Sequence, residues 1–319
     1  MNVVFMGTPE FAVPSLCSLA ISTHKITAVV TQPDRPRGRS KTPLPSPVKE
    51  RAEALGLKIL QPVNINDESV VKQLQSLAAD CIVVVAFGQF LSNAILHLPR
   101  YQCINIHASL LPKFRGAAPI NWAIMQGETV TGTTAVVMTA KMDAGDVIDQ
   151  KTTPISPNEN AGELEKRLSE TGAELLIDVL HLVETEEATY TKQDEGGVTF
   201  APKLKKEAGL ILWSQTAQKI HNLVRGMTPS PGAYTYFLKT GSTEKKRIII
   251  LKTQIHDTQK ITTALNPGII VDVAPCGVHV ATMDGFICIT QLQPEGKRAM
   301  DVQEYLRGHK ITVGDMFVP

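Results

Sequence analysis

Cys81-Ile82-Val83-Val84-Val85-Ala86-Phe87 is the stretch that decides the fold. It is apolar from end to end, with four valines or isoleucines in a row. A strand wetted on one side alternates apolar and polar residues. A run without alternation suits a central parallel strand covered on both faces. Parallel strands need crossover connections, so helices should flank this one on either side in the chain.

They do. Upstream, Asn2–Met6 reads as a strand, Gly7-Thr8-Pro9 as a turn and Glu10–Ala20 as a helix carrying Phe11, Val13, Leu16 and Leu19. Lys25–Thr31 is a β-branched run, Pro47–Leu55 is helical, Lys58–Leu60 is a short strand and Ser69–Leu77 is helical again. Downstream, Cys103–His107 reads as a strand, Pro119–Met125 as a helix and Thr133–Met138 as a strand. Asp146–Pro154 follows as a strand expected to be antiparallel. Asn160–Glu184 is a long amphipathic helix with Leu164, Leu168, Leu175, Leu176, Val179 and Leu180 on one face. Alternation of this kind predicts an α/β domain with a doubly wound, mostly parallel, Rossmann-like sheet.

The pattern then changes. Thr185–Lys206 is polar, contains Gly196-Gly197 and Pro202, and reads as a linker. A helix over Thr216–Val224 precedes five strand-like runs at Ala233–Leu238, Arg247–Ile255, Gly268–Val273, Val278–Thr282 and Phe286–Leu292. Five short strands in so little chain predict a small OB-like β-barrel, with a sandwich as the alternative.

The whole chain has 319 residues, of which 43% are hydrophobic and 20% charged. That is a globular mix, and the length suits two domains. The longest apolar runs fall far short of the ~18 residues of a membrane span. The N-terminus has no basic region before its apolar run and reads as a strand, not a signal peptide. Cys17, Cys81, Cys103, Cys276 and Cys288 are odd in number and scattered, and no CxxC or HExxH occurs. Neither a disulfide framework nor a metal is therefore expected, and a reducing compartment is. The net charge of +1 hides an asymmetry: residues 1–199 carry −5 and residues 200–319 carry +6. A basic C-terminal third suits a nucleic-acid face or a solvated surface.

The turn after the first strand lacks GxGxxG, which disfavours a dinucleotide site. The chemistry points instead to Asn105-Ile106-His107-Ala108-Ser109-Leu110-Leu111-Pro112. Residues two apart on a strand share a face. Asn105 and His107 would project together from a strand's carboxyl end, where open α/β sheets bind ligands. An amide can stabilise a developing oxyanion, and an imidazole can move a proton near neutral pH. Met142-Asp143-Ala144-Gly145-Asp146 supplies carboxylates that could pair with His107. A structural Asn with a core His, beside an Asp-rich turn, is the competing reading.

These segments resemble the folate-dependent formyltransferase family. The likeness runs through VVFMGTPEFAVPSL at 3–16, TQPDRPRGRSK at 31–41, VVVAFGQFL at 83–91, NIHASLLPKFRGAAPINWAI at 105–124, MDAGDVI at 142–148, VRGMTPSPGAY at 224–234 and YLRG at 305–308. The 31–41 loop and the RGMTPSPGA stretch narrow it to the branch acting on charged initiator tRNA. The resemblance implies a folate-binding catalytic domain over 1–189, a linker over 190–207 and a tRNA-binding barrel over 208–319. It implies transfer of the formyl group of 10-formyltetrahydrofolate to the α-amino group of methionyl-initiator-tRNA, without a metal. Asn105, His107 and Asp143 map onto the catalytic trio. Phe87, Gly88, Gln89, Phe90, Leu91, Ser109, Leu110, Leu111, Pro112 and Asp146 map onto the folate site. Expected tRNA contacts are Arg35, Arg37, Arg39 and Lys41 on a proline-stiffened loop, with Lys203, Lys205, Lys206, Lys245, Lys246 and Arg247 further on. A monomer in the bacterial cytoplasm is expected. An amino sugar or other small amine as acceptor, or a catalytically inactive RNA-binding protein, are the competing functions.

Overall fold

A computed structural model describes residues 1–36, 42–255 and 266–319. The chain divides into two units. The first holds Met1–Pro119, Val130–Pro154 and Glu165–Pro202, and the second holds Ile120–Thr129, Ile155–Leu164 and Lys203–Pro319.

The first unit is built on β1 (Asn2–Gly7), β2 (Lys25–Val30), β3 (Arg35–Pro36), β4 (Pro43–Leu44), β5 (Ile59–Leu60), β6 (Cys81–Val85), β7 (Cys103–His107), β8 (Val130–Val137) and β9 (Val147–Pro154). Helices α1 (Val13–Ile21), α2 (Pro47–Ala54), α3 (Glu68–Ser76) and α4 (Asn93–Leu96) connect its strands. Helices α5 (Pro119–Met125) and α6 (Ala161–Glu184) complete the first half of the chain. The sheet order is β5-β2-β1-β6-β7-β8-β9, while β3 and β4 form a separate two-stranded ribbon. Pairs from β5 to β7 are parallel, and β8 and β9 close the edge antiparallel. All five residues of β6 are buried, as the apolar run requires. Burying each of its isoleucine and valine side chains contributes about 1.5–3 kcal/mol.

The chain leaves β1 toward β2 and β5, then returns to lay β6 and β7 on the other side. Strand order therefore reverses between β1 and β6, and that crevice is where open α/β sheets take ligands. Gly7 ends β1 there. A Cβ at Gly7 would lie 3.0 Å from the Val85 carbonyl and 2.9 Å from Ala12 Cβ, so only glycine lets the strand turn so tightly. Thr8 Oγ1 and Gln32 Nε2 both donate to the Phe87 carbonyl, at 3.0 and 3.2 Å, and tie the crevice together.

The second unit contains α7 (Ala217–Met227), β10 (Ala233–Leu238), β11 (Lys245–Gln254), β12 (Ile270–Ala274), β13 (Gly277–Ala281), β14 (Phe286–Pro294), β15 (Met300–Asp301), α8 (Val302–Gly308) and β16 (Met316–Val318). Its antiparallel order is β12-β13-β14-β11-β10-β16. The two ends of this sheet meet. Ile269 bridges Met316, Ile270 N–H donates to Asp315 O at 2.8 Å, and Phe317 N–H donates to Gly268 O at 2.8 Å. The result is a closed barrel, not a sandwich, and closure removes the free strand edges. Buried Asp315 anchors the seam. Burial opposes its ionisation, but hydrogen bonds from Thr240 and Thr312 outweigh it and hold the carboxyl below its ordinary value. The barrel core is apolar and includes Trp213, Ile220, Val224, Phe237, Ile248, Val280 and Phe317.

Two expectations need correction. Residues 190–207 are not a free linker: through Pro202 they belong to the first unit, and Thr191 exchanges two 2.8 Å backbone hydrogen bonds with Val147. Beyond the five strands expected, the described residues of this sheet include two more, β15 beside β14 and β16 beside β10, both too short to show a pattern. Among the described residues, no helix is long and apolar enough to cross a membrane.

Candidate active site

Strand β7 sets Asn105 and His107 two residues apart beside β6 and β8, in register with Val84, Val136 and Thr134. His107 is buried and Asn105 half-buried. His107 Nδ1 lies 3.6 Å from Asp143 Oδ2, and its Nε2 meets the Phe114 carbonyl at 3.0 Å. Both ring nitrogens thus face oxygen acceptors, which orients the ring from two sides. Among the described residues, nothing hydrogen bonds to the Asn105 amide, so its donors stay available to a ligand.

Asp143 lies in the Met142–Asp146 loop with φ of 50°, a left-handed conformation that aspartate tolerates. Its Oδ2 accepts the Gly116 N–H at 2.9 Å. Gln193 fixes the loop from behind, with Nε2 donating at 2.8 Å to both Asp143 O and Gly145 O. Arg115 in turn donates to Gln193 Oε1 from Nε at 3.1 Å and Nη2 at 2.9 Å, and pairs with Glu195 at 3.0 Å. Thr199 Oγ1 accepts the Phe114 N–H at 2.8 Å. Segment 190–201 therefore builds the site's rear wall. The polar composition of that segment concealed this. The usable signal was Tyr190-Thr191, a β-prone pair beside Gln193.

The SLLP segment is braced, not open. Ser109 Oγ is buried and donates to Lys113 O at 2.6 Å. Thr134 Oγ1 donates to Ser109 O at 2.6 Å and accepts from Leu111 N–H at 3.1 Å and Gln150 Nε2 at 2.8 Å. Ser109 and Leu111 shape the turn, while Leu110 and Pro112 are half-buried. Asp146 is half-buried, and its carbonyl accepts Val137 N–H at 3.0 Å.

The 87–91 loop opens at the end of β6. Phe87 and Leu91 are buried, whereas Gly88 and Phe90 are exposed. The Gln89 side chain pins residues 62–65, with Oε1 accepting Ile65 N–H at 2.8 Å and Nε2 donating to Val63 O at 3.3 Å. Among the described residues, the backbone N–H and C=O groups of Gly88, Gln89 and Leu91 take no partner. A loop of unpaired main-chain donors and acceptors over apolar Phe87 and Leu91 suits a flat heterocycle with both kinds of edge group.

The expected tRNA contacts are spread over both units. Arg37, Arg39 and Lys41 lie outside the described residues. Arg35 is exposed in β3, near Asp34, whose carboxyl is held below its ordinary value by hydrogen bonds from Lys49 and then Gln61. In the second unit, Lys203, Lys205, Lys206, Lys245 and Lys246 are exposed. Arg247 lies over the Tyr234 ring at 4.3 Å, and Tyr234 packs edge-on to Tyr236 at 6.1 Å. Cations interleaved with aromatic rings suit a nucleic-acid strand, and the two tyrosines were missed in the sequence.

Known proteins share this plan. The family pattern described as formyl transferase matches residues 1–180, and that of the formyl transferase C-terminal domain matches residues 203–310. The chain is 46% identical to the methionyl-tRNA formyltransferase of Moorella thermoacetica, covering 99% of both chains. It is 44% identical to that of Geotalea uraniireducens, covering 99% of this chain and 97% of the relative. Among solved structures, the sugar 3N-formyl transferase WlaRD superposes with a TM-score of 0.66 at 18% identity, over 93% of this chain and 99% of WlaRD. HypX from Aquifex aeolicus superposes with a TM-score of 0.65 at 19% identity, over 98% of this chain but 49% of HypX, so the chain spans about half of that protein. These two likenesses concern the fold. End-to-end identity and both family patterns agree that the chain belongs to the methionyl-tRNA formyltransferase family.

Proposed function

We propose that the chain transfers the formyl group of 10-formyltetrahydrofolate to the α-amino group of methionyl-initiator-tRNA. The observation that carries this reading is the identity of 44–46% to methionyl-tRNA formyltransferases over nearly the full chain. When bound, 10-formyltetrahydrofolate supplies an activated formyl carbon. Phe87, Gly88 and Leu91 would hold its ring, with Leu110, Pro112 and Asp146 nearby in the same half of the protein.

Asn105 Nδ2 donates to the formyl oxygen as that atom gains charge during attack by the amine. The amine's lone pair forms the new C–N bond, and the bond from the formyl carbon to N10 of the folate breaks. Once Nε2 exchanges the Phe114 carbonyl for the substrate, His107 takes the proton shed by the attacking nitrogen there and passes it toward N10. Asp143 holds the ring at Nδ1, and the Gly116 N–H holds Asp143. Backbone groups fix each partner, so little reorganisation is left for the reacting complex. The exposed lysines of the second unit, with Arg247, Tyr234 and Tyr236, are the surface we assign to tRNA. On this reading the chain acts in the bacterial cytoplasm, which rests on its bacterial relatives.

The test is formyl transfer from 10-formyltetrahydrofolate to charged initiator methionyl-tRNA, with uncharged tRNA, free methionine and a UDP-amino-sugar in parallel. Transfer to the charged tRNA alone is expected. Transfer to the sugar, or tRNA binding without transfer to any amine, would overturn the reading.

A further inference from the structure

Spacing along the chain gives no reason to expect a metal, yet the barrel gathers a set of ligands. Asp272 on β12 pairs with His279 on β13, and His279 pairs with Cys288 on β14. The three positions form a row across adjacent strands. Val278 and Val280, and likewise Ile287 and Ile289, point into the apolar core. By strand alternation, His279 and Cys288 lie on the opposite face. Cys276, in the turn between β12 and β13, completes the group. One donor atom from each of Cys276, His279 and Cys288 lies within 4.8 Å of the others. His279 Nε2 stands 4.0 Å from Cys276 Sγ.

Two further observations point to a ligand. His279 Nδ1, the nitrogen away from the thiols, lies 3.5 Å from Asp272 Oδ2. Metal-binding histidines typically direct their second ring nitrogen to a carboxylate, which fixes the tautomer and the orientation of the ring. Gly277 supplies the other. A Cβ there would run into the Ile289 carbonyl oxygen and come 2.5 Å from Cys288 Sγ, so only glycine lets the turn that carries Cys276 pack directly against β14 and its thiol.

We propose that Cys276, His279 and Cys288 bind a zinc ion on the face of the barrel turned away from its core. Two thiolates and a neutral imidazole match the soft N/S donors that zinc takes and that calcium and magnesium do not. In a tetrahedral zinc site, neighbouring donor atoms are about 3.6–3.8 Å apart, so the observed group needs to close by only about 1 Å or less. The two thiol protons leave on binding, and Zn(II) with two thiolates is neutral. With three protein ligands, the fourth position of a tetrahedral ion would be left to a water molecule. The ion clamps the β12–β13 turn to β14.

The experiment uses the full chain, reduced and stripped with a chelator, then equilibrated with zinc chloride and passed through gel filtration. About one zinc per chain is expected. A rise in melting temperature with added zinc is expected too. Cys276→Ser changes an exposed side chain, so the variant should stay folded, and circular dichroism checks that it does. It should lose most of the zinc, while Cys17→Ser retains it. Cobalt chloride should produce a thiolate-to-cobalt absorption band in the wild type that Cys276→Ser lacks. Wild-type protein that retains no zinc overturns the proposal. So does undiminished zinc in Cys276→Ser, or loss of the two thiols to a Cys276–Cys288 disulfide under the loading conditions.

Discussion

Two histidines of this chain stand beside carboxylates at nearly the same distance. His107 Nδ1 is 3.6 Å from Asp143 Oδ2, and His279 Nδ1 is 3.5 Å from Asp272 Oδ2. The Asp143 side chain is 14% exposed and that of Asp272 61%. Across the ring, His107 Nε2 meets a carbonyl oxygen, whereas His279 Nε2 faces a thiol. A ring held between two oxygen acceptors is set to carry and pass protons. A ring with a carboxylate behind it and sulfur ahead is set to share a lone pair with a cation. A histidine–carboxylate pair is therefore not a function in itself, and what lies on the other side of the imidazole decides which chemistry follows.

The largest expected effect is at the first ring. His107→Ala should lower kcat for formyl transfer by about 10²–10⁴-fold, the usual reach of a positioned acid–base group. The KM for charged tRNA should move little, because the proposed role of the ring lies in proton transfer and not in holding the RNA. A loss of less than tenfold would remove His107 from proton transfer and leave it a packing residue. Asn105→Ala follows at about 10²–10³-fold, the cost of one oxyanion donor. Its effect should fall on kcat, since the amide acts on charge that develops only during reaction. A change of a few-fold would sink that role.

The second ring is tested more gently. Asp272→Asn should weaken zinc binding by about 10–100-fold without abolishing it, as expected for a group that orients a ligand. Equal zinc affinity in Asp272→Asn and wild type would mean that the carboxylate plays no part in setting the ring.

The two sites differ in how far they could be read from sequence. Asn105 and His107 are two apart on one strand, and period-two alternation puts them on one face without knowledge of the fold. The run from Cys81 to Val85 likewise revealed the buried parallel strand. Cys276, His279 and Cys288 come together only through the register of β13 on β14, which no spacing rule contains. Gln193 and Thr199 were hidden for a related reason. Their segment is polar, and its pairing with Val147 and Arg115 is long-range. Strand β16 was too short to display a pattern, and it became part of the barrel through its partners β10 and Ile269. Local periodicity reports what a segment buries, not which distant segment it meets.

Gln193 makes the smallest prediction and the one that separates positioning from packing. It stands one step behind Asp143, which stands one step behind His107. Its two Nε2 hydrogen bonds fix the carbonyls of Asp143 and Gly145, and its Oε1 accepts both bonds from Arg115. Gln193→Ala should lower kcat by about tenfold, because small displacements of a catalytic group are costly even when nothing is removed from the site. Gln193→Glu discriminates between causes. Glutamate keeps the size, and its carboxylate should pair with Arg115 at least as well, yet it has no N–H to give the two carbonyls. If those donors hold Asp143 in place, the Glu variant should lose as much rate as the Ala variant while melting closer to wild type. Full activity in Gln193→Glu would show that the Arg115 pairing alone supports the loop. The rear wall would then be packing, and the geometry at His107 would depend on Gly116 and Phe114 instead.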